Sequence, residues 1–194
     1  MSLRDILTGR HQVQDPAPDR LFAITTAYVT LQSEHGIAPA GKAAIVFQAL
    51  ATSEFETTLR ETEELCTSTG AESGTTVSSE NDSYGYRWMV LRNPDGKPSV
   101  EDLAVGINAV SSAIETAGHG ERLLCAVFAF ADAQGDPIDF IYNYKRGYWY
   151  PFVPAGGAQE RNTERELQLK AQIGAELPIE PEIERWFPLW GIPI

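Results

Sequence analysis

Three histidines, two cysteines and three neighbouring aspartates are the residues of this chain whose types suit acid–base, nucleophilic or metal chemistry. His11 lies in a polar leader, and His35 and His119 stand beside glycines at expected helix ends. None of them has a partner at the i, i+4 spacing of a helical metal site. His119, in AGHGE, is a candidate acid or base, and its ordinary reading is an exposed loop histidine. Asp132, Asp136 and Asp139 gather around one hairpin turn, where turn chemistry accounts for the first two. Cys66, at a helix end, and Cys125, in an apolar strand, read as free buried thiols of a reducing compartment. The chain carries no Gly-x-Ser-x-Gly, no P-loop and no dinucleotide fingerprint. No catalytic residue, cofactor or metal ligand is therefore assigned. An enzyme of unrecognised type, with a polar pocket around His119 or Asp139, stays as an alternative.

Binding offers more than catalysis. Tyr142 to Pro154, YNYKRGYWYPFVP, places six aromatics around the adjacent bases Lys145 and Arg146. Alternation puts Tyr142, Tyr144, Tyr148, Tyr150 and Phe152 on one face of a hairpin, with the Lys-Arg pair at its tip. Aromatics and arginine are enriched at interfaces, so Tyr144, Lys145, Arg146, Tyr148 and Trp149 form a candidate contact tip. The ending RWFPLWGIPI must fold back as a strap or remain exposed as a docking tail. Trp186, Phe187 and Trp190 are its candidate contact residues.

Charge narrows the partner. The net charge of −12 excludes nucleic acid as the main ligand, because phosphate binding needs a basic footprint. YGYRWMVL, residues 84–91, has the aromatics of an RNA-recognition strand without its charge; Trp88 and Val90 read as core, with Tyr86 or Arg87 on the other face. No apolar run approaches the ~20 residues needed to span a bilayer, and no secretion signal is evident, which points to a cytoplasmic protein.

The elements that position these residues follow from pattern. Residues 1–18 form the leader, 19–154 one α+β domain, and 155–194 a helix and aromatic strap on that domain. Asp19 starts a helix that ends at His35-Gly36. AAIVF, 43–47, is a buried strand, and Thr52 or Ser53 caps a helix to Cys66. A polar edge strand and YRWMVLR follow. Ser99 caps a helix ended by Gly118, Leu123–Ala131 is a long strand, and 138–152 a hairpin. Asn162 or Thr163 caps a last helix to Ile173. The order strand, helix, strand, strand, helix, strand predicts a ferredoxin-like βαββαβ sheet with helices on one face, extended by the hairpin. The alternative order, αβββαββα, is that of a secretion chaperone.

The leader, YKRGYWYPF, ERNTERELQLK and LPIEPEIERWFPLWG together resemble the phage-shock-protein-A-associated protein B family, found in actinobacteria and some archaea. The resemblance runs along the whole chain, and RWFPLWG is its most specific part. It implies a non-catalytic accessory protein of a membrane-stress response. It also implies partners: a phage-shock-protein-A-like coiled coil or a membrane-bound zinc metalloprotease, with a homodimer left open. It brings no catalytic residues. Glu72 to Asp82 carries no recognised family motif. A small-ligand or lipid sensor is the third reading, and retained apolar density under the strap would favour it.

Overall fold

A computed structural model describes residues 18–82, 85–157 and 159–194; the expected leader, apart from Pro18, and His11 lie outside them. Two short helices, α1 (Pro18–Phe22) and α2 (Ile24–His35), precede strand β1 (Ala38–Phe47). Then come α3 (Ser53–Gly70), β2 (Thr76–Asn81), β3 (Arg87–Arg92), α4 (Val100–Thr116) and β4 (Leu123–Ala131). The hairpin β5 (Pro137–Asn143) and β6 (Tyr148–Phe152) leads to α5 (Thr163–Ile173). The strands form one antiparallel sheet in the order β2-β3-β1-β4-β5-β6. Its first four strands have the split βαβ arrangement, with α3 and α4 as the two crossovers. The hairpin continues the sheet from the edge that β4 would otherwise expose.

Local signals set the boundaries. Thr52 caps α3, Ser99 caps α4 and Asn162 caps α5, each through its side-chain oxygen. The helix expected from Asp19 to His35 is broken at Ala23. There Thr25 Oγ1 donates to the Phe22 carbonyl at 2.7 Å, a back-bond that competes with the helical ladder.

Both faces of the sheet are buried along its strands other than the exposed edge strand β2. Ile45, Phe47, Met89, Leu91, Phe128 and Phe140 pack beneath the helices. Ala44, Val46, Trp88, Val90, Val127, Ile141, Tyr150 and Phe152 form a second core on the opposite face. That face is covered by the C-terminal strap, whose Trp186, Leu189, Trp190, Ile192 and Ile194 pack on it. Strands buried on two sides read as continuous apolar runs, which explains AAIVF and LLCAVFAFA. In β3 Trp88 and Val90 are core as expected, facing the strap, and the opposite face is core as well, with Met89 and Leu91 toward the helices. Gly106 lets α4 lie close on this sheet, because a Cβ there would collide with Leu91 Cδ2.

The hairpin departs from expectation in register. Asn143 pairs with Tyr148 and Tyr142 with Trp149. Tyr142 and Trp149 therefore face the helices, and Tyr150 and Phe152 face the strap. The aromatics divide between two faces instead of sharing one. The outer edge of β6 is closed by the segment after α5. Trp149 N–H donates to the Pro178 carbonyl at 2.9 Å, and Glu180 N–H to the Trp149 carbonyl at 2.8 Å.

Candidate functional site

The hairpin tip is a four-residue turn, 144–147. The Asn143 carbonyl accepts from Arg146 N–H and Gly147 N–H, and Asn143 Oδ1 accepts from Lys145 N–H at 3.0 Å. Gly147 closes the turn at φ 67°, a conformation open to glycine at little cost. Arg146 is not a free cation. Its Nε and Nη2 donate to the two Glu180 oxygens at 2.7 and 3.1 Å, and Glu182 lies at 3.6 Å. Burial pushes the Glu180 carboxyl up, but the hydrogen bonds from Arg146 and the Glu182 amide, with the nearby guanidinium charges, hold it below its ordinary value. This bidentate clasp ties the tip to the strap's approach.

Trp149 is fully buried; it packs on Phe128 and Tyr142, and its Nε1 donates to the Arg20 carbonyl at 2.7 Å. Tyr144 packs edge-on against Tyr142, and burial raises its phenol. Tyr148 is half-buried beneath the Arg20 guanidinium, which lies 5.0 Å from its ring centroid. Lys145 is exposed and makes no ion pair among the described residues.

The tail folds back. Trp186 is buried, stacks on Tyr150 and donates from Nε1 to the Glu180 carbonyl at 3.0 Å. Arg161 Nη1 donates to the Trp186 carbonyl at 2.7 Å, and Tyr150 Oη to the Phe187 carbonyl at 3.1 Å. Trp190 is half-buried, edge-on to Phe152, and Arg92 Nη2 fastens the Pro193 carbonyl at 2.8 Å. Phe187 alone of the three candidates is exposed, at 59%.

These placements create a groove of about 460 Å³ between the strap and the sheet. Lys145 from the tip and Phe187 and Trp190 from the tail line it, together with Tyr86, Trp88 and Cys125. Two stretches that are separate in sequence thus share one site. Trp149 and Trp186, the two buried indoles, and Arg146, clasped by glutamates, serve the architecture. The sequence reading did not place Tyr86 and Cys125 at a shared site, because no spacing rule links residue 86 to residues 125, 145 and 190. The exposed Tyr86, at 38%, is held by Asp82: its carboxylate accepts from Tyr86 N–H at 2.9 Å and from Trp88 Nε1 at 3.0 Å.

The groups suited to catalysis do not converge. Both cysteines are free and buried, and burial pushes the Cys125 thiol up to about 12, which keeps it protonated. His119 meets the edge of Phe55 at 5.1 Å. Asp132 Oδ1 accepts from Gln134 N–H and Asp136 N–H within its turn. No His, Cys, Asp or Glu cluster among the described residues has the form of a metal site. Asp139 is buried on the strap face, and burial pushes its carboxyl up to about 7.

No helix among the described residues is long and apolar enough to cross a membrane. Comparison with curated proteins and with solved structures gives no significant match. The family model described as PspA associated protein B matches residues 1–194, from one end of the chain to the other, and the chain belongs to that family.

Proposed function

We propose that this protein is a non-catalytic accessory protein of the phage-shock response that associates with PspA through the rim of the strap groove. The family's description supports the association with PspA. The observation that carries the surface is the meeting of Lys145, exposed and without an ion pair among the described residues, with the exposed Phe187 and half-exposed Trp190 at one groove. An aromatic anchor beside a cation fits an apolar helical segment flanked by acidic side chains, as on a coiled-coil surface. Tyr148 stands on the same hairpin but lies beneath the Arg20 guanidinium and is not part of the groove lining.

Lys145→Glu and Phe187→Ala are the clean tests, because neither side chain supports the core. Each is expected to weaken PspA binding about tenfold or more, the equivalent of ~1.4 kcal/mol or more, with thermal stability unchanged. Arg146→Glu is a poor test, since it would break the clasp on Glu180. PspA binding that is indifferent to both substitutions would rule out the groove rim. Binding of a membrane-bound zinc metalloprotease, measured in parallel, would reassign the partner if it alone responds. Equilibrium sedimentation of the free protein reads out any homodimer.

A further inference from the structure

We propose that the groove beneath the strap is a binding site for a single-chain amphipathic anion, an unbranched apolar tail ending in a carboxylate, with Lys145 as its counter-ion. This goes beyond association with PspA and rests on the chemistry of the groove alone. Its volume of about 460 Å³ falls in the range of roughly 300–1,000 Å³ that holds small organic ligands. Its walls are side chains of the second core and of the strap, among them Val46, Trp88, Leu124 and Leu189. Such walls favour an apolar body over a sugar or a nucleotide, whose polar groups would be left unpaired.

The polar atoms at the groove are nearly all committed to the chain itself. The Asp82 carboxylate holds Tyr86 N–H and Trp88 Nε1. Asn143 Oδ1 holds Lys145 N–H, and the Tyr150 hydroxyl is given to the Phe187 carbonyl. The Cys125 thiol stays protonated and behaves as a small apolar group. Of the two charged groups at the groove, Asp82 is engaged by Tyr86 N–H and Trp88 Nε1, while the Lys145 ammonium is exposed and without an ion pair among the described residues. One uncommitted cation beside apolar walls selects one anionic group on an apolar tail. A second charge would lie against apolar walls, and a cationic head would meet the ammonium with like charge.

The test uses the full chain with laurate, dodecanol and dodecylammonium, each below its micelle threshold. Trp88 and Trp190 line the groove, so tryptophan fluorescence reports occupancy, and a rise in Tm reports binding to the native state. Laurate is expected to bind saturably and to raise Tm, and dodecylammonium to bind far more weakly. Lys145→Glu should weaken laurate about tenfold or more and leave dodecanol unchanged. Leu124→Trp, at a half-buried wall position, should fill the trough and remove both ligands. If that variant fails to fold, Lys145→Glu at the exposed tip still decides the matter. Absence of saturable laurate binding, or laurate binding that ignores the charge at position 145, overturns the proposal. None of these measurements contains PspA, so failure here leaves the partner reading standing, and the converse also holds.

Discussion

Glu166→Ala is expected to lower the free energy of unfolding by about 3–5 kcal/mol, the cost of leaving a buried charge without its partner. Glu166 is fully buried, and its two oxygens serve three donors. Arg161 Nε lies at 3.0 and 2.9 Å from them, Arg161 Nη2 at 2.7 Å, and Val153 N–H at 2.9 Å. Alanine would strand the guanidinium, which is only 23% exposed, and orphan the Val153 amide at the end of β6. The damage would spread, because Arg161 also holds the Trp186 carbonyl and so anchors the strap. For a chain of this length the loss corresponds to a fall in Tm of roughly 10 °C, read by urea and thermal unfolding. The double variant Arg161→Met/Glu166→Leu removes both charges and is expected to recover the part of the loss due to the stranded charge, while the Val153 amide and the Trp186 carbonyl stay without their partners. A single-variant loss below about 1 kcal/mol would mean the pair is solvated like an ordinary surface bridge.

This ion pair also marks where the sequence stops being legible. Glu166 sits in a helix rich in charged residues, and nothing in TERELQLK says that one glutamate points inward. Arg146 likewise pairs with Glu180, 34 residues away, so its place at a hairpin tip said nothing of its role. What local pattern does determine was readable. Side-chain caps at Ser99 and Asn162, the apolar run before α3 and the turn at Gly135 specify elements from within a few residues. The strand order then follows from the alternation of strands and helices. The hairpin shows the limit of this reasoning. A three-residue turn at 145–147 would pair Tyr144 with Tyr148 and set five aromatics on one face. The actual four-residue turn pairs Asn143 with Tyr148. A slip of one residue moves a strand's whole side-chain set to the other face. The core decided it: this register sends the largest side chain, Trp149, beneath the helices, where its indole N–H reaches the Arg20 carbonyl. The groove was illegible for a related reason. Its walls come from β1, β3, β4, the hairpin and the strap, and only the sheet order brings them together.

Asp139→Asn should make the protein's stability less sensitive to pH. The Asp139 side chain is on the strap face between Ala129 and Phe152 in register, and it is 5% exposed. No hydrogen bond or ion pair reaches its carboxyl from the described residues, so burial alone raises it from 3.8 to about 7. The direction of the effect follows from proton counting. Below about pH 4 the carboxyl is protonated both folded and unfolded, and it contributes no pH dependence. Between pH 4 and 7 the unfolded chain loses the proton while the native state keeps it, so stability falls as pH rises. Above pH 7 the native carboxylate carries the full penalty, roughly 4 kcal/mol for a displacement of this size. Asparagine cannot ionise. Its advantage over wild type should therefore grow by roughly that amount from pH 4 to pH 8, whatever fixed cost the unpaired amide adds at both. Denaturant unfolding of the two proteins at these pH values measures the difference directly, and the Arg146–Glu180 clasp, present in both, cancels. A difference that stays flat with pH would show that Asp139 is ionised and hydrated beneath the strap. Growth of the difference would identify the strap face as a place where burial holds a carboxyl well above its ordinary range, at a cost in stability above pH 7 that the rest of the fold must offset.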